Sequence, residues 1–193
     1  MSFSGNFGSE MSELNKMISG EIYDPSDETL SQMRANAREI TARYNVTNRD
    51  QKSERDELLK GLFGRTGNDI KIEPNFNCDY GQNIIVGENF YVNFGCVILD
   101  CAEITIGDNC MIGPQVGIYT ACHPIDPIER ISGIEFAKPI TIGDNCWIGG
   151  HATINPGVIL GDNVVVASGA VVTKSFPDNV VIGGNPARVL KDI

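Results

Sequence analysis

The chain has only two histidines, His123 and His151, and no pair of its six cysteines is spaced Cys-x-x-Cys. Tetrahedral zinc sites draw on paired Cys and His ligands, so these counts exclude them, along with any zinc site needing three histidines from one chain. No metal is expected. Bases are scarce as well: 15 Lys and Arg stand against 25 Asp and Glu, for a net charge of −10. That balance argues against a nucleic-acid groove or an anionic membrane surface as partner. No run of 18 apolar residues occurs, so a membrane span is not expected. Residues 1–10 lack the basic and apolar regions of a secretory signal and read as a flexible leader, which predicts a cytoplasmic protein.

What the chain does have is a period of six. Ile142, Ile148, Ile154, Leu160, Val166 and Val172 follow one another without a break. Four residues after the first five come Cys146, Ala152, Val158, Val164 and Ala170. Helices repeat every 3.6 residues and half-buried strands every two, so a six-residue period belongs to neither as a long element. It fits a parallel β-helix in which each unit is one short strand and one corner, with three units per coil. Gly-Asp-Asn follows Ile106, Ile142 and Leu160, and Gly-Glu-Asn follows Val86, placing residues tolerant of positive φ at the bends. Cys96, Cys110 and Cys146 fall in the small-residue slot and read as buried hydrophobes in a reducing compartment.

The rhythm breaks between Ile118 and Ile142. Their separation is still a multiple of six, so residues 119–139 read as a loop extruded from one corner. A long loop in a compact repeat suggests function, and this one carries His123. Residues 11–65 differ in kind. Helices are expected over 12–19, 28–44 and 48–63, with Gly20 as a C-terminal stop and Asp27 as an N-cap. This head would cover one open end of the coil stack formed by residues 66–193. The match to a glycosylation acceptor at Asn45-Val46-Thr47 is read as chance.

Residues 140–159, the loop start Tyr-Thr-Ala-Cys-His-Pro from Tyr119, the segment 179–189, and the head with Gly-Glu-Ile-Tyr-Asp ending at Asp24 resemble the maltose and galactoside O-acetyltransferases. The resemblance covers nearly all of the chain after residue 10. It implies a left-handed β-helix, a homotrimer with active sites between subunits, and direct transfer of acetyl from acetyl-CoA to a sugar hydroxyl. It also assigns residues by position. His123 matches the base and Asn93 the polar group at the reacting centre, while Asp24, Asp79 and Asp100 match the acceptor-sugar side. Trp147, Gly150, Ser168, Thr173, Lys174, Arg188 and Lys191 match the acetyl-CoA side. Where some galactoside-acting members carry a further acid, this chain has Cys101.

The chemistry agrees independently. A sugar hydroxyl attacks a thioester efficiently only if a base takes its proton, a task suited to an imidazole. The developing oxyanion needs a donor, which an amide such as Asn93 can supply. A Cys122 nucleophile with His123 as base is disfavoured, because adjacent residues in extended chain point apart. His151 is expected to project outward without a catalytic role. Two other classes stay open: transfer to another small acceptor (amino sugar, amino acid or xenobiotic), and a scaffold in which His123 is idle.

Overall fold

The computed structural model describes residues 11–193; the leader expected over residues 1–10 lies outside them. Three helices come first: α1 (Glu13–Ser19), α2 (Glu28–Asn45) and α3 (Lys52–Leu62). Ser12 caps α1 by accepting from the Asn15 N–H, and Gly20 closes it at φ 79°. Asp27 caps α2 by accepting from the Leu30 N–H. The third helix starts later than its sequence suggests. Asn48 donates its backbone N–H to the Gln51 side chain, and Gln51 donates back to the Asn48 carbonyl, so residues 48–51 close a turn instead.

From residue 70 onward the chain winds as a left-handed parallel β-helix, mainly β, with three faces. The first face stacks the strands Ile84–Val86, Ile104–Ile106, Ile140–Ile142 and Ile159–Leu160. The second stacks Ile70–Ile72, Phe90–Val92, Met111–Ile112, Trp147–Ile148, Val165–Val166 and the hairpin Val180–Gly184 with Ala187–Asp192. The third stacks Asn77–Cys78, Val97–Leu99, Gly117–Tyr119, Thr153–Ile154 and Val171–Val172. Register puts the six-residue period on straight rows, such as Val92, Ile112, Ile148, Val166 and Ile182, all inside the prism. Each inward aliphatic side chain contributes roughly 1.5–3 kcal/mol by leaving water. Leu58, Leu59, Leu62 and Phe63 seal the end against Ile70, Ile72 and Phe76. Asn45 pairs both ways with the Phe76 backbone, so its side chain is committed to the fold.

The corner between the first and second faces is a ladder. Asp144 accepts from the Asp108 N–H at 2.8 Å, Asp162 from the Asp144 N–H at 2.7 Å, and Asp178 from the Asp162 N–H at 2.8 Å. Asn89, Asn109, Asn145, Asn163 and Asn179 all turn through positive φ there, between 52° and 58°. The glycines before Asp108, Asp144 and Asp162 are required by close stacking: a Cβ on Gly107 would overlap the Asp144 carboxylate and backbone.

The corner between the third and first faces does the opposite and widens. Ile154 to Leu160 is a regular step of six, but Cys78 to Val86 and Ile98 to Ile106 each take two residues more. Directly above comes the excursion 119–139, so all the added residues share one corner. The excursion has structure of its own. Strand Ala121–Cys122 pairs antiparallel with Phe136–Ala137, and a short helix, α4 (Pro127–Ile131), lies between them, capped by Asp126. A small second core of Met17, Tyr23, Leu30, Tyr80, Cys101 and Ala137 binds the head to this corner.

Candidate active site

Asp100 organises the widened corner. It is fully buried, and its oxygens accept from the backbone N–H groups of Asp79 (3.1 Å), Tyr80 (2.9 Å) and Asn83 (3.3 Å). Burial pushes its carboxyl up to about 6, against the pull of those donors. The carboxylate of Asp100, expected on the acceptor-sugar side, is bonded to the backbone of the coil below.

The extra residues instead open a cavity of about 270 Å³ between head, corner and loop, lined by Pro25, Arg34, Arg38, Asp79, Tyr80, Cys101 and Glu135. Arg34 is a strut, donating to the Tyr80 hydroxyl at 2.7 Å and the Pro25 carbonyl at 2.6 Å. Asp79 is partly buried, and loss of solvent raises its carboxyl above the usual range although Cys101, Arg34 and Arg38 pull the other way. Asp24 sits exposed beside Pro25. Its Oδ1 accepts from the Ser26 hydroxyl (2.7 Å) and N–H (2.8 Å), which hold it below the usual carboxylate range.

His123 follows strand Ala121–Cys122 on the same side, half-exposed, with Nε2 4.0 Å from Oε1 of Glu135. The other oxygen of Glu135 accepts from the Tyr23 hydroxyl at 2.9 Å. Glu135, Tyr23, Arg34 and Arg38 were not among the residues expected from sequence. Two carried a hint: Glu135 lies in the interrupted stretch with His123, and Tyr23 in the Gly-Glu-Ile-Tyr-Asp segment that ends at Asp24. Cys122 donates to the Thr120 carbonyl, and burial pushes its thiol up, so it is not set up as a nucleophile.

A second group gathers elsewhere. Asn93, Trp147, Gly150, His151 and Ser168 line a groove of about 430 Å³ along the corner between the second and third faces, with Tyr91, Met111, Gly113 and Pro114. Stacked backbone bonds build its floor: Asn93 to Ile112, Gly113 to Ile148, Gly149 to Val166 and Ala167 to Ile182. A Cβ on Gly149 would overlap the Ser168 backbone, so glycine keeps the column narrow. His151 projects outward as expected, but its corner position at φ 59° also puts it in this groove. The turn at residues 184–186 folds the tail back as a hairpin, placing Arg188 opposite Gly183 and Lys191 opposite Val181. Lys191 thus shares a row with Val181, Val165 and Trp147. Thr173 and Lys174 lie away from that row, just past Val171–Val172 on the third face, where the Lys174 Nζ stands 5.5 Å over the Phe176 ring.

One chain therefore does not bring all the expected residues together. His123 and Asn93 stand at opposite edges of the third face. A further cleft of about 240 Å³ between α2, α3 and the first strand holds none of the expected residues, and two of its cations are already paired, Arg49 with Glu73 and Lys52 with Asp56. Among the described residues, no group of three or more His, Cys, Asp or Glu could hold a metal ion, and no helix is long and apolar enough to cross a membrane.

A prism of six-residue units with an armed loop and a glycine-floored corner groove defines a hexapeptide-repeat transferase. Residues 16–67 match the maltose acetyltransferase hexapeptide capping motif, and residues 103–121 and 139–174 match the hexapeptide repeat of succinyl-transferase. A maltose O-acetyltransferase from Clostridium difficile 630 is 50% identical, with a TM-score of 0.93 over 95% of this chain and 98% of that one. A galactoside acetyltransferase in complex with coenzyme A is 38% identical, with a TM-score of 0.91 over 95% and 92%. A hexapeptide-repeat acetyltransferase from Vibrio cholerae O1 biovar eltor, complexed with acetyl coenzyme A, is 37% identical, with a TM-score of 0.87 over 94% and 98%. The chain belongs to the maltose/galactoside O-acetyltransferase family of hexapeptide-repeat acetyltransferases.

Proposed function

We propose that this protein transfers acetyl from acetyl-CoA to a hydroxyl of a sugar, maltose- or glucose-like or a galactoside, by direct attack with His123 as general base. The observation that carries this reading is His123 on a structured loop, beside a polar cavity and held near a carboxylate. The sugar O–H attacks the thioester carbonyl, a C–O bond forms, the C–S bond breaks, and His123 takes the hydroxyl proton and returns it to the departing sulfur. Asp24 and Asp79 orient the acceptor, while Asp100 holds the corner that carries Asp79. Asn93 serves the oxyanion. Its Oδ1 accepts from the Phe94 N–H at 2.8 Å, which leaves the amide N–H₂ as a donor toward the groove.

Acetyl-CoA is the co-substrate along the corner groove, whose coils stack closely because Gly149 has no Cβ to overlap the Ser168 backbone. Trp147, Gly150 and Ser168 would line it, with Arg188 and Lys191 meeting the phosphate end. Thr173 and Lys174, past the third face, would meet it from a neighbouring copy. The same division supports a homotrimer with sites between subunits, because His123 and Asn93 of one chain face different corners. Ile125, Ile128 and Ile131 are exposed on the loop beside His123, an apolar set suited to contact with a neighbouring copy. The six free cysteines suit a cytoplasmic location.

The test is acetyl-CoA consumption with glucose, maltose, galactosides and amino sugars, on the parent and His123→Ala. Loss of a general base costs on the order of 10²–10⁴ in rate. Turnover of His123→Ala within about tenfold of the parent would end this mechanism.

A further inference from the structure

Tyr23 of the head and Glu135 of the loop that carries His123 are paired directly. Tyr23 and Glu135 exchange both backbone hydrogen bonds, N–H to carbonyl at 2.9 Å and 3.1 Å, as a two-residue antiparallel bridge. Their side chains meet again, the Tyr23 hydroxyl donating to Oε2 of Glu135 at 2.9 Å. Tyr23 is almost completely buried, against Cys101 and the second core. Oε1 of the same carboxylate faces the His123 Nε2 at 4.0 Å.

We infer that Tyr23 is a positioning residue for acetyl transfer, acting through Glu135 to set the orientation and tautomer of His123. The inference rests on His123 being the base. A carboxylate on a flexible stem has many orientations, and a buried phenol that can only donate to it leaves one oxygen for the imidazole. With Nε2 turned to that oxygen, the favoured neutral tautomer carries its proton on Nε2 and leaves the lone pair on Nδ1 for the sugar hydroxyl. The head thus does more than close the prism: it fixes the geometry of a loop more than a hundred residues away in the chain.

The test is a cycle of Tyr23→Phe, Glu135→Ala and the double variant, all as full chains. Phe keeps the buried ring, and thermal melting checks that each variant is folded. Tyr23→Phe should lower kcat about tenfold with the Michaelis constant for acetyl-CoA unchanged, and should add nothing in the Glu135→Ala background. Nitrogen-15 spectra of His123 should show the Nε2–H tautomer in the parent and a mixture in Tyr23→Phe. A parent-like kcat and tautomer for Tyr23→Phe overturn the inference, as does an undiminished effect of Tyr23→Phe in the Glu135→Ala background. His123→Ala separates the two readings: if it stays active the base assignment fails, and if it is inactive while Tyr23→Phe is unaffected only the role of Tyr23 fails.

Discussion

The backbone N–H of Tyr80 donates to Oδ1 of Asp100 at 2.9 Å, from one coil to the next. Asp79 uses the same oxygen and Asn83 the other, so one buried carboxylate fixes the backbone beside the cavity between head, corner and loop. The fold and the candidate site are joined there by a single carboxylate.

Asp100→Ala should strand three N–H donors and cost about 3 kcal/mol or more of stability. The pH dependence has a definite sign. Burial raises this carboxyl to about 6 in the folded state, so folded protein holds a proton that the unfolded chain has lost. Its contribution is fully present below pH 4 and falls, by on the order of 3 kcal/mol, as pH rises from about 4 to 6. The stability gap between parent and Asp100→Ala, measured by denaturant unfolding, should be wider at pH 4 than at pH 7. A gap that does not change with pH would mean that Asp100 titrates as an ordinary carboxylate.

Gly107→Ala and Gly61→Ala should have opposite effects. A Cβ at 107 would overlap Asp144, whereas one at 61, inside α3, meets nothing within 4 Å. Chemical denaturation should show Gly107→Ala losing about 3 kcal/mol or more, and Gly61→Ala gaining roughly 0.5–1 kcal/mol. Equal effects at the two positions would contradict the tight corner ladder.

Ile148→Asp should prevent folding to a soluble protein. Ile148 is fully buried between Ile112 and Val166, with no polar partner for a carboxylate, and an unpaired buried charge is among the costliest single changes. Soluble protein with the parent's thermal unfolding midpoint would show that the row is not the core.

Arg188→Ala should raise the Michaelis constant for acetyl-CoA by roughly tenfold or more, since a charge-assisted bond to phosphate contributes about 1.5–3 kcal/mol. The constant for the sugar should hardly move. Salt should weaken cofactor binding more in the parent than in the variant. The same salt response in both, with cofactor binding unaltered, would leave Arg188 as a solvated residue on the final strand.

The period of six determined the prism by itself. Ile142, Ile148 and Ile154 can all turn inward only on a three-sided coil, and the Gly-Asp-Asn corners follow from the same spacing. Gly20 and Asp27 were legible as caps because they act on neighbours in the chain, whereas Ser12 caps the helix it was expected to lie in. His123 was legible because it stands where the rhythm fails. The contacts of Asp100 and Glu135 were not. Their partners are 17 to 21 and 112 residues away in the chain, and such pairings arise only once coils stack and the head docks. Nor could spacing show that the expected residues divide between two corners, because a corner is a place in the stack, reached by counting coils and not by reading along the chain. The local rules of the repeat wrote the scaffold, whereas contacts across coils decided which carboxylate serves the fold and which faces the histidine.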